Sequence, residues 1–225
     1  MKNLITIGLP SKGRLKEKSI LFFNDRGLKI ILSEKERNYF GTIENKPNVK
    51  IIFLHAKEII QRLGDGTLDI GISGLDLLKE SDINLKRKIN IQKKLGYGNA
   101  NLVVAVPDDW IDVQTIADLE EISFDIRLKR NTRLRVATKY PNLTNNFLIS
   151  KGVTQYKLIP SLGATETYPF IGSSEIITDI TSTGKTLADN NLRVLKDGLI
   201  LDSTACLFTA KKNSKNLKIF LSLLK

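Results

Sequence analysis

The chain alternates short apolar runs with stretches whose apolar residues recur every three or four positions. The runs bounded by glycine, proline or polar clusters read as strands: LITIGL (4–9), VKIIFL (49–54), LDIGIS (68–73), NLVVAVP (101–107), RLRVAT (133–138), EIITDI (175–180) and ACLFTA (205–210). Helices are expected near 14–26, 56–64, 74–80, 115–121, 142–151, 184–190 and 214–224. Thr115 followed by Asp118 has the spacing of a capping box, and Gly27 and Gly152 stand where helix C-caps fall. Strands alternating with helices predict an α/β class with parallel sheet. Two polar stretches with glycine and asparagine, QKKLGYGNA (92–100) and NNLRVLKDG (190–198), interrupt this alternation. They predict two lobes with the chain crossing twice: residues 1–95 plus 193–225 in lobe I and 96–192 in lobe II. Ligands in such architectures are expected in a cleft between the lobes, at the carboxyl ends of strands.

Composition narrows the function classes. The 225 residues suffice for one large core or two small ones, and 41% hydrophobic with 26% charged is ordinary for a globular chain. No apolar run approaches the ~20 residues of a membrane span, so no membrane association is expected. The start, MKNLITIGLPSKGRL, has no small-residue cleavage site and reads as a first strand. The single Cys206 leaves no intramolecular disulfide and no cysteine-based zinc site, which makes the cytoplasm the default. A net charge of +11, from 35 basic and 24 acidic residues, raises nucleic-acid binding. The Lys and Arg are scattered, however, with only short clusters such as Lys86-Arg87-Lys88. An anionic small substrate accounts for the charge equally well, and no nucleic-acid partner is expected.

The stretch TDITSTGKTL (178–187) carries the most specific chemistry. A nucleoside-triphosphate loop needs glycine five positions before Gly184, and Asp179 stands there. Thr181 to Gly184 form a turn opening a helix at Lys185, so backbone N–H groups and the hydroxyls of Thr181, Ser182, Thr183 and Thr186 can cradle a phosphate. Asp179 at the strand end can accept from a vicinal diol. Together they suit a ribose 5-phosphate, although the residues alone leave open a plain strand–turn–helix with hydroxyl capping. Two further turns suit anions: LPSKGRL (9–15), where Lys12 and Arg14 flank Gly13, and the Ser73-Gly74 turn in GDGTLDIGISGLDLL (64–78). His55 is the only histidine, so a Ser-His-Asp triad would have to pass through it, and no serine sits in a nucleophile elbow. Cys206 and Trp110 read as core and packing residues.

In order and flanks, LPSKGRL (9–15), GTLDIGISGLDLL (66–78), LRVATKYPNL (134–143), SLGATE (161–166) and EIITDITSTGKTL (175–187) resemble ATP phosphoribosyltransferase in its short form, over nearly the whole chain. RNYFG (37–41) and FLHAKEII (53–60) look like its alpha-proteobacterial subgroup, with His55 where many members carry Arg. The resemblance implies a fold like type II periplasmic binding proteins, Mg2+, and attack of adenine N1 of ATP on 5-phosphoribosyl-1-pyrophosphate with release of pyrophosphate, the first step of histidine biosynthesis. It implies that Asp179 and Glu175 hold the ribose hydroxyls, and that Thr181, Ser182, Thr183, Gly184, Lys185 and Thr186 hold the 5′-phosphate. Lys12, Gly13, Arg14, His55, Ser73 and Gly74, with Mg2+, are left for ATP or pyrophosphate, with no metal ligand assigned. Long members carry a C-terminal histidine-binding domain, which is not expected here. Short members work with a regulatory subunit similar to histidyl-tRNA synthetase, and a hetero-oligomer is expected. A solute-binding protein of the same bilobal fold is the rival reading.

Overall fold

The computed structural model describes residues 4–32, 39–212 and 214–224. In chain order the elements are β1 (Ile5–Pro10), α1 (Gly13–Asn24), β2 (Ile30–Leu32), β3 (Phe40–Ile43), β4 (Lys46–Leu54), α2 (Ala56–Gly64), β5 (Ile70–Gly74), α3 (Leu75–Glu80), α4 (Ile83–Lys86), β6 (Ile89–Lys94), β7 (Ala100–Pro107), α5 (Ile116–Arg130), β8 (Leu134–Thr138), α6 (Pro141–Ser150), β9 (Tyr156–Pro160), a 3-10 turn (Thr165–Thr167), β10 (Ile176–Thr181), α7 (Lys185–Asp189), β11 (Leu192–Ser203), β12 (Ala205–Ala210) and α8 (Lys215–Ser222). Of the stretch RNYFG, Arg37 and Asn38 lie outside the described residues.

The chain divides into two compact units, Met1–Gly98 with Thr204–Lys225, and Asn99–Ser203. Among the described residues the first unit carries a sheet of order β2-β3-β4-β1-β5-β12-β6 and the second one of order β11-β7-β10-β8-β9. The central strands β4-β1-β5 are parallel, as are β10-β8-β9, while β12, β6, β7 and β11 pair antiparallel. The sheets are therefore mixed rather than purely parallel. The unit boundaries stand at 98/99 and 203/204, where composition alone suggests 95/96 and 192/193. The second difference has a local cause. Residues 192–203 form one long strand along β7 whose register shifts between Val194 and Leu199 and again between Leu199 and Leu201. The irregularity at Lys196-Asp197-Gly198 gives this strand the composition of a loop.

The parallel strands are near-continuously apolar because helices cover both of their faces. In the first unit, one cluster joins Ile7, Leu9, Ile51 and Ile70 to Phe22 and Phe23 of α1 and to Leu217 and Phe220 of α8. A second joins Cys206 and Phe208 to Ile59, Ile60 and Leu63 of α2 and to Leu75 and Leu78 of α3. Each large side chain so buried contributes about 1.5–3 kcal/mol over leaving it exposed. The register partners Gly8 and Gly71 allow α2 to lie close on the sheet. A Cβ on Gly8 would stand 2.4 Å from Leu68, and one on Gly71 would stand 2.5 Å from Ile59. The second unit packs Val104, Val136, Leu148 and Ile176 with Ile116 and Leu119 of α5, and Trp110 lies against this cluster as the sequence suggests.

The capping box is formed as its spacing requires, with Thr115 accepting from the Asp118 N–H and Asp118 accepting from the Thr115 N–H. The helix it opens runs on to Arg130, beyond the expected end near 121, and turns at Asn131 in the left-handed conformation (φ 51°). Its later turns bury little, so apolar periodicity does not mark them. Gly27 and Gly152 take positive φ of 69° and 87° after their helices, the conformation glycine supplies without strain. Among the described residues no helix is long and apolar enough to cross a membrane.

Candidate functional site

Parallel strands place their following turns on one edge of a sheet, and each unit has such an edge. In the first, β1 and β4 end side by side, with Pro10 opposite Leu54 and the Ser11 N–H donating to the Leu54 carbonyl at 2.9 Å. Lys12, Gly13 and Arg14 thus lie beside His55, and β5, the neighbour of β1 on its other side, ends nearby at Ser73-Gly74. The two anion-suited sequence stretches of this unit thus follow neighbouring strands, β1 and β5. Gly13 carries a φ of +65°, which turns the chain from Lys12 into α1. Among the described residues neither Lys12 nor Arg14 has an ion-pair partner, and both are exposed. His55 caps α2, its Nδ1 accepting from the Lys57 N–H at 3.3 Å. That contact uses Nδ1 as an acceptor, and the residue itself is exposed.

The Ser73-Gly74 turn is less open to an anion than its sequence suggests. The Ser73 hydroxyl is buried and donates to the Ala56 carbonyl at 2.8 Å. The Leu75 N–H donates to the Thr204 carbonyl at 3.0 Å. The buried Asp76 carboxylate folds back so closely that a Cβ on Gly74 would stand 2.2 Å from its Oδ1. The Ser73 hydroxyl and the Leu75 N–H are therefore already paired within the protein.

In the second unit the edge is formed by β10, β8 and β9. Asp179 lies near the end of β10, its side chain only 13% exposed. Its Oδ1 accepts from the Ile180 N–H at 2.8 Å, and its Oδ2 stands 3.8 Å from Nζ of Lys139, the residue after β8. Burial pushes the Asp179 carboxyl above the usual carboxylate range, and the nearby Glu166 adds to this. The Ile180 N–H, the Lys139 ammonium and the Thr165 hydroxyl pull it back only in part. A partly desolvated carboxylate readily takes hydrogen bonds from a diol, because they replace lost hydration.

The loop after Asp179 turns back on itself. The Thr181 hydroxyl accepts from the Gly184 N–H at 2.9 Å, and the Thr183 hydroxyl accepts from the Lys185 N–H at 3.3 Å. Gly184 sits at φ +74° and opens α7, a helix of only 5 residues. Among the described residues nothing accepts from the N–H groups of Ser182 and Thr183. The exposed loop thus offers amides and hydroxyls at its tip, together with Lys185 and Thr186. The short helix adds little dipole, so those donors carry the anion-binding character.

Glu175 is placed elsewhere. It precedes β10, at the opposite end of the strand from Asp179. Its carboxylate accepts from the Arg135 backbone N–H at 2.6 Å and from the guanidinium at 2.7 Å, and Arg135 also donates to the Gly172 carbonyl. Resemblance groups Glu175 with Asp179, but the fold gives it a bracing role between β8, β10 and the 172 turn. Conversely, Lys139, Thr165 and Glu166 stand beside Asp179 without having been singled out. Their signal lay in LRVATKYPNL and SLGATE, whose chemistry is not evident until the strands are paired. Among the described residues no group of three or more His, Cys, Asp or Glu could hold a metal ion.

Comparison with known proteins identifies the family and the fold. Residues 55–225 match the family model described as HisG: ATP phosphoribosyltransferase. ATP phosphoribosyltransferases of Brucella melitensis and Brucella suis are each 44% identical to the chain over 216 residues, covering 96% of it and 94% of theirs. A solved ATP phosphoribosyl transferase (HisG:HisZ) complex from Thermotoga maritima superposes with a TM-score of 0.74 at 26% identity, covering 98% of this chain and 96% of that one. The substrate-binding protein of an amino acid ABC transporter shares the fold alone, with a TM-score of 0.56 at 14% identity over 98% of this chain and 91% of that one. The fold is thus the two-lobed type II periplasmic-binding-protein class, and the chain belongs to the ATP phosphoribosyltransferase family.

Proposed function

We propose that the chain joins ATP to 5-phosphoribosyl-1-pyrophosphate, giving N1-(5-phosphoribosyl)-ATP and pyrophosphate, and that the Asp179 edge of the second unit grips the pentose. The carrying observation is a desolvated carboxylate directly followed by a loop with free amides and hydroxyls. Asp179 accepts from the 2′- and 3′-hydroxyls of the ribose. The N–H groups of Ser182 and Thr183, the loop hydroxyls and Lys185 donate to the 5′-phosphate. As the bond from C1 to pyrophosphate lengthens, positive charge grows on the ribose and negative charge on the leaving group, as in glycosyl transfer generally. Adenine N1 carries a free lone pair, so attack needs no general base. Positioning and fixed charge supply the catalysis.

The cations Lys12 and Arg14, with His55, serve the pyrophosphate or the ATP phosphates. The Ser73-Gly74 turn has a lesser part, since the Ser73 hydroxyl and the Leu75 N–H are already paired within the protein. Mg2+ belongs to the reading as an ion carried on the substrates' own phosphates. The free, buried Cys206 thiol suits a reducing compartment, and the reading places the enzyme in the cytoplasm. A regulatory subunit similar to histidyl-tRNA synthetase belongs to the reading, supported by the Thermotoga maritima relative having been solved as a HisG:HisZ complex.

The test is pyrophosphate release from ATP plus phosphoribosyl pyrophosphate, with and without such a subunit. Release that needs both substrates supports the reading. Its absence in both arms, with well-folded protein, ends it.

A further inference from the structure

Three buried threonine hydroxyls close a ring beneath the Asp179 edge. Thr178 of β10 donates to Thr138 of β8 at 2.6 Å. Thr138 and Thr144 of α6 share a hydrogen bond at 3.2 Å, and Thr144 and Thr178 share one at 2.6 Å. A hydroxyl has one proton. Since Thr178 spends its proton on Thr138, Thr144 must donate to Thr178, and Thr138 must donate to Thr144. The ring therefore runs one way round and satisfies every donor. Thr138 also accepts from the Tyr140 N–H at 2.9 Å. All three side chains are shielded from solvent, at 0–2% exposure.

The placement of the ring matters more than its strength. Thr138 and Thr178 are register partners and form the last paired position of β8 with β10. The next residues along the chain are Lys139, just after β8, and Asp179, on β10. Successive side chains on a strand point to opposite faces. The ring thus lies on the α6 face, and the residues immediately beyond the paired threonines form the 3.8 Å ion pair. The Tyr140 N–H bond holds the chain on the far side of Lys139. Buried hydrogen-bonded networks of this kind fix a single geometry, because every alternative leaves a hydroxyl unsatisfied.

We propose that Thr138, Thr144 and Thr178 are positioning residues for phosphoribosyl transfer, fixing the separation of Lys139 from Asp179 and so the carboxylate that meets the ribose. This rests on the reading of Asp179 given above. Lys139 and Glu166 are the charged groups facing Asp179, and Thr165 and the Ile180 N–H are its neutral donors. With Lys139 loosened, the opposing influence of Glu166 remains and the carboxylate becomes harder to ionise.

The experiment measures kcat/KM for phosphoribosyl pyrophosphate against pH in the intact chain with its partner subunit, alongside melting temperature. The acid limb of that profile reports groups of the free enzyme. Thr178→Val should lower kcat/KM by about 10- to 100-fold, the scale of a displaced reacting group. It should also move the acid limb to higher pH, and Thr178→Ser should restore both. Thr144→Val keeps the Thr178–Thr138 bond between the two strands, so it serves as a second variant, and it should shift the limb in the same direction by less. Lys139→Met should shift the limb likewise, and adding Thr178→Val should leave it there. Threonine variants that lose only melting temperature, or limb shifts that add in the double variant, overturn the proposal. Asp179→Ala separates the two levels. If it is inactive while the threonine variants behave as wild type, only the ring fails. If it retains full turnover, the ribose assignment fails and the ring's role goes with it.

Discussion

The two sheet edges are built alike and equipped oppositely. In the first unit, the segments that follow β1 and β4 carry exposed Lys12, Arg14 and His55, with no carboxylate paired to the two cations among the described residues. In the second, β10 ends in a carboxylate that is 13% exposed, held by one lysine at 3.8 Å and followed by a hydroxyl-rich loop. An exposed cation keeps its hydration and acts on multiply charged phosphates through Coulomb attraction, which tolerates loose geometry. A desolvated carboxylate reading a diol depends on hydrogen-bond distance and direction, so it needs a rigid frame. The buried threonine ring supplies a frame beneath Asp179, whereas the Lys12-Gly13-Arg14 turn has only glycine's freedom and the adjoining strand ends.

This contrast can be broken at several points. The largest effect is expected at Asp179. Asp179→Ala removes a preorganised partner of the reacting sugar and should cut turnover at least ~100-fold with the fold intact by circular dichroism. Next comes Arg14→Ala. Losing a charge-assisted contact to phosphate, worth about 1.5–3 kcal/mol, should lower kcat/KM by roughly 10- to 100-fold. Melting temperature should not move, since Arg14 is exposed and braces nothing. Glu175→Gln should show the reverse pattern. Weakening the paired contacts to Arg135 should destabilise the chain by about 1–3 kcal/mol in denaturant titration, while turnover per folded molecule stays near wild type. A tenfold or greater loss of turnover in folded Glu175→Gln would falsify its bracing role.

The smallest and sharpest test concerns pH. Because burial raises the Asp179 carboxyl above its unfolded value, the folded state holds that proton more tightly than the unfolded one. Its stabilising contribution is present below the unfolded carboxyl range and is lost as pH rises through the raised value. Ionised Asp179 is thus a cost to the fold at neutral pH. Asp179→Asn, which keeps shape without charge, should raise the melting temperature at neutral pH, and the gain should vanish in acid. An equal gain at both pH values would show that charge is not the cause.

Much of this molecule is legible without its structure. The alternation of apolar runs located seven strands, six of them to within two residues and β4 starting three residues earlier than expected, since a central strand covered on both faces is apolar along its length. Thr115 with Asp118 announced a helix start, and Gly27 and Gly152 announced helix ends, because their geometry is local. Edge and irregular strands escaped: β6 exposes all but one of its residues, and β11 hides its pairing behind bulges near Gly198. Such strands are held by hydrogen bonds to a neighbour distant in sequence, which no local pattern records.

The same division runs through the site. That Asp179 stands where a triphosphate loop needs glycine, with hydroxyls and Lys185 just after it, follows from residue order alone, and so does the family to which the chain belongs. Whether a carboxylate is desolvated, braced or already paired depends on which strands lie side by side. Pairing β8 with β10 set Lys139 against Asp179, gave Glu175 to Arg135 and closed three distant threonines into a ring. Only the fold could settle those roles, because electrostatic and hydrogen-bond energies depend on distances of a few ångströms between residues some forty positions apart.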